Sequence, residues 1–182
     1  VAMRDLARFY FGFTVPAHLV AGPDEVIDAV ARSVSDLGIV RQSQPSWVGA
    51  WWNRLGGDGP RIIARLPYIL FEGRVADLPA LVLSNPISEA VGPEILVHAF
   101  TGVGDRDPSD ALETAGFELL ARFDQGLRTD FLVASPAETP IEAVVAAFAT
   151  AGVEARTPRL VGGYPAPIRH AGPGGIAPIT DD

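Results

Sequence analysis

The sequence predicts a fold between α/β and α+β, with a partial βα-layered lobe over residues 1–75, a βαββαβ module over 76–167 and a flexible tail over 168–182. Three observations carry this expectation. Residues 2–41 alternate helical and extended patterns, the habit of parallel βα units. From Glu94 onward six segments run strand, helix, strand, strand, helix, strand. Of the 182 residues, 48% are apolar and 20% charged, enough to bury a core and too apolar for general disorder.

The elements follow in chain order. Leu6, Phe9, Tyr10 and Phe13 recur at helical spacing within an opening helix over Ala2–Phe11, and are expected to face the core. That helix has no cap residue before it, and an α/β unit normally opens with a strand, so the chain is expected to be the C-terminal part of a longer protein. Gly12 ends the helix and Val15–Val20 is extended. Pro23 and Asp24 start a second helix, with Pro near its first position and acids in its first turn. Val26, Ile27, Val30 and Val34 form its stripe. Leu37–Arg41 is a short buried strand of a parallel sheet. Ser46 is placed to cap a helix over Trp47–Leu55, on which Trp47 and Trp51 share a face. After the breaker at 56–60, Arg61–Phe71 and Leu78–Ser84 read as two strands joined by a turn through Gly73.

The module comprises Ile95–Phe100, Pro108–Ala115, Phe117–Phe123, Thr129–Ala134, Pro140–Ala151 and Val153–Val161. Gln125-Gly126 supplies its hairpin turn and Gly152 caps its second helix. This order is the ferredoxin-like arrangement, shared by ACT domains. The Gly- and Pro-rich end reads as a tail.

Composition excludes several function classes. Net charge is −8, against nucleic acid as a partner. All fourteen basic residues are Arg, which removes Schiff-base chemistry and a Lys-dependent phosphate loop. The absence of Cys removes disulfides, thiolate nucleophiles and zinc–thiolate sites. Asp105, Asp107 and Asp110 lack the closing Glu and central Gly of a calcium loop, so no metal is expected. No apolar run spans a membrane and no signal peptide opens the sequence, so a cytoplasmic location without membrane association is expected.

Two loops carry candidate ligand-binding residues. Arg41, Gln42, Ser43 and Ser46 follow a strand and precede a helix, where open α/β sheets place ligands. One Arg, two hydroxyls and the helix-start N–H groups suit a carboxylate; the alternative is a polar turn capped by Ser46. Gly102, Gly104 and Asp105 follow the first strand of the module. Glycines admit a close backbone approach and Asp105 suits an amino group, giving a zwitterion site; the alternative is a loop with Asp107 as cap. His98 shares a strand face with Leu96 and Phe100 and reads as a core histidine. The tryptophans read as packing.

Residues 5–41, DLARFYFGFTVPAHLVAGPDEVIDAVARSVSDLGIVR, resemble the first half of a prephenate dehydratase, where an aromatic helix ending in Phe-Gly precedes an acid-capped helix and strand. Arg61–Leu66 extends the likeness. Trp51-Trp52, Gly59–Tyr68 and Gly162–Pro167 resemble the region that follows a chorismate mutase domain in some bacterial proteins. Prephenate dehydratases are similar to type II periplasmic-binding folds and are commonly followed by a phenylalanine-sensing ACT domain, which is the layout the resemblance implies for the two parts of this chain.

The likeness breaks where the chemistry resides. The family's Pro-Ile-Glu-Asn-Ser-like segment is replaced by Arg41-Gln42-Ser43-Gln44-Pro45-Ser46, and its Thr-Arg-Phe motif by Thr129-Asp130-Phe131. Asp in place of Arg opposes a dianionic substrate. The resemblance therefore implies a catalytically degenerate, ligand-binding or regulatory region of a chorismate mutase/prephenate dehydratase-type protein of phenylalanine biosynthesis. It would need no cofactor and would bind a small carboxylated ligand, prephenate or phenylalanine. One alternative is an active dehydratase converting prephenate to phenylpyruvate, with Thr129 and Ser43 as catalytic residues. Another is a structural module forming a homodimer, since ACT-like sheets pair edge to edge. A solute-binding fragment is disfavoured by the lack of a signal peptide.

Overall fold

The computed structural model describes residues 2–71, 78–87 and 92–170. The turn expected through Gly73, and residues 171–182 of the expected tail, lie outside the described residues. The elements are α1 (Ala2–Phe11), α2 (Pro23–Arg32), β1 (Gly38–Arg41), β2 (Arg61–Leu66), β3 (Ile69–Phe71), β4 (Ala80–Ser84), β5 (Ile95–Val103), α3 (Ser109–Thr114), β6 (Glu118–Gln125), β7 (Arg128–Pro136), α4 (Ile141–Thr150), β8 (Glu154–Tyr164) and β9 (Ile168–His170). Seven strands form one open mixed sheet in the order β1-β4-β2-β8-β5-β7-β6, and β3 pairs with β9. The fold is therefore mixed α/β, of the α+β kind.

From β5 to β8 the chain runs strand, helix, strand, strand, helix, strand, with boundaries within a few residues of those expected. The β6–β7 hairpin closes Gln125 against Arg128 across a Gly126-Leu127 turn. β5 lies between β7 and β8, antiparallel to both. Phe100 of β5 and Phe131 of β7 pack against Leu112 of α3 and Val144 and Phe148 of α4, so both helices cover one face.

The N-terminal region departs from expectation. Its strands were read as parallel, but β1 and β2 both pair antiparallel with β4, which lies between them. Residues 42–60 carry no α-helix, so the connection from β1 to β2 is not a crossover that would set those strands side by side and parallel. One sheet thus carries strands from both sides of position 75/76. The two groups of strands meet where β2 runs parallel to β8, at Ile62 and Gly162. A Cβ on Gly162 would overlap the Ile62 backbone, so only glycine permits this approach.

Four smaller expectations are also corrected. Trp47–Leu55 is two 3-10 turns, Ser46–Val48 and Trp51–Arg54, separated at Gly49 with φ +77°. Arg61–Phe71 is two strands, because Pro67 has no N–H to continue the ladder. Phe9, Phe13 and Val34 are exposed; Met3, Leu6, Tyr10 and Phe11 dock α1 instead. Residues 168–170, read as the start of the tail, form β9.

The sheet is strongly curled. Arg65 of β2 makes a bidentate pair with Glu118 of β6 at 2.6 Å, although the strand order sets them four strands apart. On a flat sheet that separation is about 19 Å, beyond the combined reach of the two side chains. The concave face holds the largest core: Ile62, Val97, Leu120, Leu132 and Tyr164 from the strands, closed by Ile27 of α2 and by Trp51, Trp52 and Leu55. On the convex face α1 covers Ala64, Leu66, Ala80 and Val82. A bulge between Ile62 and Ala64 turns β2 over, so Ile62 faces the concave core and Ala64 the convex one.

Candidate functional site

Two grooves open beside the Trp51–Arg54 turn. The first, about 200 Å³, lies where the β1–β4 edge of the curled sheet approaches β6. Its making begins at the end of β1. The Gln42 N–H donates to Pro79 O at 2.8 Å and the Gln44 side-chain amide donates to Arg41 O at 3.0 Å, which turns the chain off the sheet. Pro45 then opens the first 3-10 turn, whose Val48 N–H returns to Pro45 O at 3.0 Å. Gln42, Ser43 and Ser46 line one wall, Leu120 and Phe123 of β6 the other, with Trp52 between them.

Gln42, Ser43 and Ser46 are therefore brought together as the sequence suggested, but with different neighbours. Arg41 is exposed and does not line the groove. Ser46 lies inside its turn and makes no capping bond. Arg122 is among the lining residues, yet its guanidinium is engaged elsewhere, with Asp124 at 2.9 Å and Asp107 at 3.2 Å. The groove's polar groups are thus amides, hydroxyls and an indole.

Two of these groups are unspent. Gln42 Oε1 and Trp52 Nε1 are buried and have no hydrogen-bond partner among the described residues. Trp52 is 2% exposed, so its N–H is shielded from bulk water. A buried donor and a buried acceptor left open among the residues of one groove are uncommon, because each costs the desolvation of a polar group. Sequence signals found Gln42 through its place after a strand. They missed Trp52, whose aromatic bulk reads first as packing.

The second candidate loop is occupied by packing. Gly102 lies within β5, and a Cβ there would sit 2.6 Å from the Phe131 ring and 2.9 Å from Val153. Gly104 approaches the Gly152 carbonyl, and Asp105 is exposed. Pro108 is the N-cap of α3, and Asp107 before it accepts from the Ser109 N–H at 2.9 Å and the Ser109 hydroxyl at 2.5 Å. Those bonds, with Arg122 nearby, hold its carboxyl below the usual range.

Thr129 and Ser43 are not brought together. Thr129 shares its strand face with Phe131 and Val133, toward the helices, and donates to Asp124 at 2.8 Å. Ser43 lines the groove with Leu120 and Trp52 on the concave side. Asp130, between Thr129 and Phe131, faces the concave side and is fully buried. It accepts from Thr101 Oγ1 at 3.1 Å, Gln125 Nε2 at 2.5 Å and Arg128 at 3.1 Å.

His98 is half-buried beside Phe100, with Nδ1 unpartnered among the described residues; burial lowers its pKa and favours the neutral ring. Among the described residues no three His, Asp or Glu side chains gather as a metal site, and no helix is long and apolar enough to cross a membrane.

The second groove, about 480 Å³, lies on the other side of the same turn, between Asn53, Thr101, Arg128, Thr157 and Arg159. Compared with known protein families, curated proteins and solved structures, the chain matches none of them.

Proposed function

We infer that this chain is a non-catalytic, ligand-binding region of an aromatic amino acid biosynthesis protein, with the Gln42–Trp52 groove as the site of an aromatic amino acid. The observation that carries this reading is the unspent pair, Gln42 Oε1 and Trp52 Nε1, in the walls of one groove. An ammonium donates to the first and a carboxylate accepts from the second, while Ser43 and Ser46 offer further hydroxyls. A lining whose one cation, Arg122, is already paired with Asp107 and Asp124 favours a net-neutral zwitterion such as phenylalanine over dianionic prephenate, whose charges need a free cation.

Two further features support a regulatory rather than a catalytic role. Strands β8-β5-β7-β6, with α3 and α4 on one face, follow the order of a ferredoxin- or ACT-like module. A dehydratase would need Ser43 and Thr129 on one substrate, and they face opposite sides of the sheet.

Titration calorimetry with L-phenylalanine and with prephenate tests the reading, alongside an assay for phenylpyruvate. Phenylalanine is expected to bind, prephenate to bind more weakly, and no phenylpyruvate to form above the uncatalysed rate. Trp52→Phe is expected to weaken phenylalanine at least tenfold, since a hydrogen bond to a charged group is worth about 1.5–3 kcal/mol. The ligand-free variant is expected to lose about 1–3 kcal/mol, because Phe leaves part of the indole's volume empty in the core, so affinities are compared under conditions where both proteins are folded. Turnover of prephenate, or unchanged affinity in Trp52→Phe, would sink the proposal.

A further inference from the structure

We propose that the groove between Arg128 and Arg159 is an oxyanion site, taking a carboxylate or a phosphate, independent of the Gln42–Trp52 groove. Arg159 carries the argument. It is half-buried on β8, donates to Leu55 O and lies 3.5 Å from Asn53 Oδ1, both neutral acceptors. No carboxylate among the described residues pairs with it, although the sequence has 22 acidic residues and only 14 basic ones. A guanidinium keeps its charge at any accessible pH and offers five N–H donors, so most of this fork is unused. A partly desolvated charge without a counter-charge is a standing electrostatic cost that a bound anion removes.

The backbone beside Arg159 is built unusually. Thr157 and Pro158 together stand opposite Phe100 of β5, a two-against-one bulge between the pairs Thr101–Arg156 and Ala99–Arg159. Thr157 adopts φ +47°, the left-handed region, which a β-branched residue seldom enters. Such bulges normally place glycine there, and retained strain of this kind gathers at ligand sites. The bulge puts Arg159 on the concave side with Ala99, and brings Thr157 to the same groove.

Charge bookkeeping fixes the ligand class. Arg128 is balanced by the fully buried Asp130, which Thr101 and Gln125 also hold. Arg159 is not balanced. The groove therefore carries one net positive charge, and a planar fork suits a carboxylate or phosphate bidentately.

The test is titration calorimetry of the purified protein at low ionic strength with inorganic phosphate and, separately, with malonate. Binding of phosphate alone, malonate alone or both supports the site and says which oxyanion it takes. Arg159→Gln is expected to weaken binding at least tenfold, while Arg156→Gln, on the same strand but exposed and paired with Glu154, stays within twofold. Because Arg159 also holds the Leu55 carbonyl, the unmodified protein provides a second readout: phosphate or malonate should slow phenylglyoxal modification of Arg159 at least threefold and leave Arg156 unchanged. Failure of both anions to bind, equal affinity in a folded Arg159→Gln, or no protection of Arg159 overturns the proposal.

Discussion

Gln42 and Trp52 bring to their groove a carbonyl and an N–H with no unpaired charge beside them, whereas Arg128 and Arg159 bring charge to theirs. Both grooves open on the concave side of one curled sheet, and a single turn divides them: Trp52 lines one and Asn53 the other. The difference lies in what each wall leaves unsatisfied. A pair of open dipoles is met by a neutral group that both donates and accepts, and both atoms are shielded from bulk water until such a group reaches them. The charge of a half-buried guanidinium is balanced only by an anion. Two sites with different selectivity can thus arise from one fold, according to which residues the turn and the β8 bulge carry inward.

Asp130 gives the largest expected effect on this contrast. Asp130→Asn keeps the shape and removes the charge that balances Arg128. It also sets an amide N–H₂ among three donors, from Thr101, Gln125 and Arg128. Unfolding by urea should show a loss of about 1–3 kcal/mol, less than the about 3–5 kcal/mol of breaking a fully enclosed ion pair, because Arg128 is 55% exposed and can turn to water. Phosphate or malonate affinity should move the other way, rising about two- to fivefold as a second cation becomes unbalanced. Phenylalanine affinity should not change. A parallel loss in both grooves would mean that they are one site.

Thr157→Gly should have a smaller effect, of opposite sign on stability. Relief of the left-handed conformation gains about 1 kcal/mol, and the added freedom of the unfolded chain returns part of it. A net rise of up to about 1 kcal/mol in urea unfolding is therefore expected, with weaker anion binding as the hydroxyl and the fixed bulge are lost. A stability loss would show that the bulge is held by packing and carries no strain.

How far these features could be read from sequence depends on whether a signal is local. The β5–β8 elements were legible because Val144 and Phe148 recur at helix spacing and the apolar runs around Phe100 and Phe131 are bounded by clear turn residues. The place of β4 between β1 and β2 was not, since it depends on pairing distant segments. The reversal of β2 at its bulge was equally hidden: Ile62 and Ala64 have the same parity in sequence and opposite faces in the fold. Gln42, Ser43 and Ser46 stood out because they follow a strand, and they line one groove. The expected cation, Arg41, does not line the groove because alternation along β1 sets it on the face of Ile39, opposite Val40. Asp130 was not legible, for residues 131–134 are apolar at both parities and both faces of β7 are buried. Nor was Arg159, because its direction follows from a bulge defined by β5.

His98 supplies the smallest effect, and one that should spare both grooves. It lies on the helix face of β5 with Phe100, away from the concave side. Burial depresses its folded pKa below the unfolded value of about 6.5. Between the two values the unfolded chain binds more protons, so stability rises with pH there. The contribution is fully present above about pH 6.5 and is lost as pH falls through the folded pKa. The urea midpoint of the wild type should therefore fall between pH 7.5 and pH 5, and that of His98→Gln should fall less. Phenylalanine and malonate affinities measured at pH 7.5 should be the same in both proteins. If His98→Gln altered either affinity, the two faces of the sheet would be coupled, and the separation of the grooves from the helix layer would have to be abandoned.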